Sequence, residues 1–101
     1  MTIAAIIEQL EAEWDTNGFF DCVRNGDYDA IRGQEILAVL RAIEIDDEEM
    51  VPKRLVSLLW YLPSFLSWQS ERIAEKGGNR AVYKRFVTEV ESILENVLGV
   101  P

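Results

Sequence analysis

The chain has no histidine, and only one cysteine, three prolines and ten basic residues among 101. Without histidine it lacks the commonest general base and the commonest transition-metal ligand, so histidine-dependent triads and ordinary zinc sites are excluded. A single cysteine, Cys22, forms no internal disulfide, which fits a reducing compartment and sets cytoplasmic as the expected location. The bases are too few and too scattered among acids for nucleic-acid binding, which needs a basic surface to neutralise phosphates.

Long apolar runs are also missing. The longest, Leu55 to Trp68, is broken by Ser57, Pro63, Ser64 and Ser67, and falls short of the roughly 20 residues that a spanning helix needs. It is expected to be a core element and not a membrane anchor. The N-terminal segment MTIAAIIEQLEAEW lacks the basic start of a secretory signal and reads as mature protein. No window shows sustained strand alternation with hairpin turns.

What the chain has is acid, unevenly placed. Residues 1–50 carry thirteen acids against Arg24, Arg32 and Arg41, a net −10, whereas residues 51–101 are +2. Net charge bears on association and solubility and leaves architecture open. With 49% apolar residues, a chain of this length can bury a core without disulfide or metal, and residues 1–101 are expected to form one helical domain.

Apolar periodicity predicts an all-α bundle of four main helices plus one short helix. Ile3, Ile6, Ile7, Leu10 and Trp14 form the first stripe, with Thr2 as cap and Gly18 as stop. Phe19, Phe20 and Val23 suit a short second helix that ends at Asn25-Gly26. Asp27 or Asp29 caps a third, whose inward residues are Ile31, Ile36, Leu37, Leu40 and Ile43. Gly33 is expected to break or delay its first turn, leaving Gln34 to Ile45 as its firmest part.

Asp46, Asp47, Glu48 and Glu49 precede Pro52, which predicts a fourth helix whose positive end those acids complement. Leu55, Leu58, Leu59, Leu62, Phe65, Leu66, Trp68, Gln69 and Ile73 form its inward face. Pro63 lacks an N–H donor, so a kink or break is expected at Tyr61 to Pro63. Gly77-Gly78 closes it, Asn79 caps the last helix, and Tyr83, Phe86, Val87, Val90, Ile93, Leu94, Val97 and Leu98 are expected to face inward.

Candidate chemistry is sparse. The run Asp46 to Glu49 lacks the alternating oxygens, sixth-position glycine and twelfth-position glutamate of an EF-hand loop, and no metal or cofactor is expected. Glu8/Glu11 and Glu71/Glu75 have helical spacing on separate helices, but neither matches the Glu-Glu-x-x-Glu pattern of Mg-dependent helical nucleotide pyrophosphatases. Cys22, between apolar neighbours and acids, is expected to be a buried, inert thiol. Trp14, Phe19, Phe20, Trp60, Tyr61, Phe65 and Trp68 are expected mostly in the core. Trp60, Tyr61 and Trp68 point to different sides of a helix, however, so a small bundle exposes at least one of them.

These features favour a non-enzymatic, acidic protein-binding module. Its expected contact residues are Asp27, Tyr28, Asp29, Glu44, Asp46, Asp47, Glu48, Glu49 and Tyr61: carboxylates to speed encounter with a basic partner, aromatics to slow release. In small size, acidity, helicity and the lack of a catalytic set, the chain resembles the helical nuclease-immunity proteins in general character, without sharing their motifs. That resemblance implies a bacterial immunity or antitoxin protein that blocks a basic toxin or enzyme. The alternatives are a homo-oligomeric structural or adaptor domain, a homodimer in its simplest form, and, further off, a carboxylate-magnesium hydrolase.

Overall fold

A computed structural model describes residues 1–101 as an all-helical bundle. The helices are α1 (Ile3–Trp14), α2 (Phe19–Arg24), α3 (Ala30–Arg41), α4 (Lys53–Trp60), α5 (Leu62–Trp68), α6 (Ser70–Glu75) and α7 (Arg80–Leu98). Three N-caps are made by the side chains that the sequence offers for them. Thr2 Oγ1 accepts from the Ala5 amide at 3.1 Å, Asp29 Oδ1 from those of Ile31 and Arg32, and Asn79 Oδ1 from Val82. Each satisfies an amide that the helix itself leaves without a partner.

The α4–α6 segment is one helical track broken twice. At the first break Pro63 has no N–H to give the Leu59 carbonyl, α4 ends at Trp60 and α5 restarts at Leu62. At the second, Gln69 bonds the Leu66 carbonyl through its backbone amide at 3.2 Å while its side-chain amide takes the Phe65 carbonyl. Phe65 is the acceptor that an uninterrupted helix would use for the Gln69 backbone, so the side chain competes with the ladder. That second break has no proline or glycine to announce it.

Long α7 is the spine: it packs against α3, α5 and α6, while α1 packs against α2 and α4. All seven helices contribute to one cluster of 23 buried apolar side chains. The molecule measures 44 × 29 × 19 Å, and its shortest dimension is about two helix diameters. A slab two helices thick covers only one side of most helices, which leaves apolar residues on the outer side. Trp60 is 62% exposed and Trp68 65% exposed.

Several expectations are corrected. Gly33 does not interrupt α3: its amide bonds the Asp29 carbonyl at 2.8 Å, and a Cβ there would lie 2.8 Å from the Tyr28 hydroxyl oxygen. The glycine serves close approach of the tyrosine to the helix. The third helix ends at Arg41 instead of Ile45, with a cation in the last turn and Glu44, Asp46 and Asp47, which oppose the dipole, beyond it. Ile31, 75% exposed, and Trp68 face outward, and Leu98 at the end of α7 is half exposed. Cys22 is half-buried, with Sγ 3.7 Å from the Asn17 carbonyl.

The acidic run is the largest correction. Asp46 to Glu49 do not begin a helix, because Pro52 is the N-cap of α4 and no acid lies in its first turn. Proline holds the residue before it out of the helical region, so Val51 separates the acids from the helix they were expected to start. They form instead a turn closed by the Glu49 amide on the Asp46 carbonyl at 2.9 Å.

In the core, the Tyr83 hydroxyl donates to the Leu66 carbonyl at 2.6 Å, joining α7 to α5. Burial, and after it the neighbouring Tyr28, holds the Tyr83 phenol well above the ordinary value of 10.0. A phenol kept neutral in the folded chain but free to ionise in the unfolded one gives stability that is present below pH 10.0 and lost as pH rises beyond it. Tyr83→Phe is therefore expected to lower stability by about 1 kcal/mol at neutral pH and to flatten its alkaline decline. Thermal unfolding across the alkaline range checks this, and an unchanged decline assigns it to other groups.

Candidate functional site

Three grooves lie side by side around the C-terminal half of α7. The first, about 700 Å3, is lined by Arg41, Ile43, Glu44, Ile45, Asp46, Glu89, Ser92, Ile93, Asn96 and Val97. The second, about 250 Å3, shares Ile45, Asp46, Asn96 and Val97 with it and adds Asp47, Glu49, Val51, Leu98 and Gly99. Leu98 and Gly99 also line the third, about 360 Å3, with Trp60, Pro63, Glu91, Leu94 and Glu95. Sequence places these residues in three separate segments, and packing of the 42–52 loop and the α4–α5 track beside α7 brings them together.

The electrostatics of this face are one-sided. Arg41, the cation in the first groove, is held by Glu89 at 3.1 Å. Glu44, Asp46, Asp47, Glu48, Glu49, Glu91 and Glu95 have no cation within 4.0 Å, and Lys53, just beyond the loop, pairs with none of them. Elsewhere three arginines pair, Arg32 with Glu13 and Glu35, Arg54 with Glu11, and Arg24 with Asp21, while Arg72, Arg80 and Arg85 form no ion pair. The short Arg32–Glu13 pair links α3 to the end of α1, and Glu13 raises the Arg32 pKa chiefly by accepting its hydrogen bond.

At the edge of the face stands Trp60, which borders two grooves. On one side is the groove of Pro63, Leu94 and Leu98; on the other is a shallow one of about 310 Å3 formed with Trp14, Arg54, Ser57, Leu58 and Tyr61. Its ring lies 5.6 Å from that of Tyr61, and Tyr61 in turn borders Trp14. The aromatic layer continues inward, with Trp14 stacked on Phe20 and edge-on to Phe65, both at 4.7 Å. Trp60 meets this layer through Tyr61, and an exposed side chain braced against a neighbouring ring has less rotational freedom to lose when a partner covers it.

The residues expected to make contacts therefore divide. Glu44, Asp46, Asp47 and Glu49 gather beside α7, Glu48 is exposed on the same turn but lines none of these grooves, and Tyr61, 37% exposed, flanks Trp60. Asp27, Tyr28 and Asp29 lie at the far end of twelve-residue α3, about 18 Å away along the helix at its usual rise. Asp29 caps that helix. Tyr28 is half-buried, its ring packed against Phe19, Tyr83 and Phe86, and burial, then the charges of Glu89 and Asp29, raise its pKa. It braces the core.

Sequence reasoning did not place Leu98, Glu91 and Glu95 in the site. Leu98 sits on the apolar stripe of α7, which predicts an inward position, but in the last turn Val97 packs against the core and Leu98 is left half exposed. Glu91 and Glu95 carried a signal: two like charges one turn apart, with the second in the last turn of a helix that has no basic residue there. Both placements are unfavourable to the helix itself.

No group of three or more His, Cys, Asp or Glu side chains is arranged to hold a metal ion, and no helix is long and apolar enough to cross a membrane. No known protein family, curated protein or solved structure matches the chain.

Proposed function

We propose that this chain is an acidic protein-binding module that covers a basic surface of its partner, in the concrete form of an immunity- or antitoxin-type inhibitor of a basic toxin or enzyme. The observation that carries the reading is the surround of Trp60: an exposed tryptophan on the groove of Glu91 and Glu95, which continues through Leu98 and Gly99 into the groove of Asp46, Asp47 and Glu49, with none of these carboxylates paired to a cation of the chain. Interfaces of this kind concentrate affinity in a central aromatic anchor, and charged rims chiefly set encounter rate and reject wrong partners. Inhibition needs no chemistry from the inhibitor. Lying over a cationic substrate cleft is sufficient.

The acids of the 46–49 turn are exposed and without ion-pair partners, and Gln at position 49 keeps an oxygen to accept the Asp46 amide as Glu49 Oε1 does, so their neutralisation is expected to leave the fold intact. Replacing Asp46 and Asp47 with Asn, and Glu48 and Glu49 with Gln, is expected to slow association with the natural partner by about tenfold or more. The salt dependence of that rate flattens while dissociation changes little. Capture of the partner from the native host, followed by association kinetics at several ionic strengths, measures both. An unchanged rate and salt slope, or a captured protein that is not basic at its contact surface, overturns the reading. Recovery of the chain itself as the sole partner replaces it with the homodimer.

A further inference from the structure

We infer that the groove between Trp60 and the C-terminal half of α7 receives an arginine side chain of the protein partner. Its form is specific: the Trp60 ring is one wall, Pro63, Leu94 and Leu98 provide apolar surface, and Glu91 and Glu95 stand on α7. Two glutamates four apart on a helix have Cβ atoms roughly 6 Å from each other, a spacing that one planar guanidinium bridges with its fork of donors. The aliphatic stem of an arginine then lies on the leucines while its charged plane stacks on the indole.

Charge complementarity selects this occupant. Neither glutamate is within 4.0 Å of a cation of this chain, although Lys84 lines the adjoining cleft with Glu91. An acidic or neutral polar side chain gains nothing from the carboxylates, and a purely apolar one leaves them unanswered beside it. Lysine supplies the charge without the plane. The helix keeps a like-charge pair in its last turns, where its own energetics favour cations. A partner cation relieves that repulsion when it binds.

The inference rests on the protein-binding reading for the identity of the occupant, but its first test needs no captured partner. The probe is a blocked Gly-Arg-Gly tripeptide titrated into isotopically labelled protein, with Gly-Lys-Gly and Gly-citrulline-Gly as comparisons. The arginine peptide is expected to shift the Trp60 indole N–H and the Leu98 methyl resonances saturably, with a dissociation constant on the order of 1 mM. The lysine peptide binds about two- to fivefold more weakly, and citrulline, which keeps the plane but not the charge, gives no saturable shift.

Glu91→Gln with Glu95→Gln, and separately Trp60→Leu, are each expected to weaken the arginine peptide by at least about threefold; all three positions are exposed, and circular dichroism checks that the fold is kept. Absence of a saturable Trp60 shift, equal shifts from the citrulline peptide, or full retention of binding in both variants overturns the inference. A natural partner whose association depends on Asp46 to Glu49 but not on Trp60, Glu91 and Glu95 overturns the arginine groove and leaves the proposed function standing. Arginine-peptide binding at Trp60 without any basic partner in the host supports the groove and removes the inhibitor reading.

Discussion

Phe20→Ala is expected to lower the stability of the domain by about 3 to 5 kcal/mol, the range for removing a fully buried aromatic ring. Phe20 has no exposed surface, stacks on Trp14 at 4.7 Å, and meets the edges of Phe19 and Phe65 at 5.3 and 6.4 Å. It thus holds short α2 to α1 and α5 at once, and the neighbours that would have to fill its space are themselves rigid rings. A domain of this size has a stability of roughly 5 to 15 kcal/mol, so the variant keeps little or none of its fold margin. Denaturant unfolding measures the loss. Trp68→Ala serves as the control: an equally large ring on the surface should change stability by only about 0.5 kcal/mol. A loss below about 1 kcal/mol for Phe20→Ala shows that the site collapses around the gap and removes this residue as the joint between the three helices.

The contrast between those two rings marks how far the fold is legible in the sequence. Both lie on apolar stripes of helical period, and periodicity alone assigns both to the core. Phe20 is enclosed because α1, α2 and α5 converge on it. Trp68 is not, because it sits at the margin of its stripe, about 120° around the helix from Leu62, whereas Leu62, Phe65, Leu66 and Ile73 stay buried on one line across both breaks. Capping residues are more dependable guides, since Thr2, Asp29 and Asn79 act within three residues of themselves. Proline reads clearly in one direction and deceptively in the other. Pro63 stops its helix as expected, whereas Pro52, expected inside the first turn, instead cuts the acids of residues 46–49 away from α4.

The site was legible in part for the same reason. The carboxylate run is visible in the chain, but what stands across from it is decided by long-range packing. The pairing of the 42–52 loop with Val97 and Leu98, and of Trp60 with Glu91 and Glu95, joins residues about 30 to 55 positions apart. Local pattern carries no record of such neighbours. It does carry a record of strain: a helix that ends on Glu91, Glu95 and no base departs from its own electrostatic preference, and such departures gather where function is served.

That departure leads to the strongest prediction about function. Glu95→Lys is expected to stabilise the isolated protein by roughly 0.3 to 1 kcal/mol, because it relieves repulsion with Glu91 and places a cation at the negative end of α7. The same change places a like charge against the basic partner and is expected to weaken the complex. Trp60→Ala acts on the anchor directly: the ring is largely exposed in the free protein, so its loss should change stability by about 0.5 kcal/mol or less, yet weaken partner binding by about 2 kcal/mol or more, at least roughly thirtyfold. Most of that loss should appear as faster dissociation, in contrast to the slower association expected when the 46–49 acids are neutralised. Unfolding of the free protein and binding kinetics of the complex, measured on the same two variants, separate the quantities. If stability and affinity fall together in Trp60→Ala, or rise together in Glu95→Lys, the face around Trp60 is a structural surface and not the one that binds.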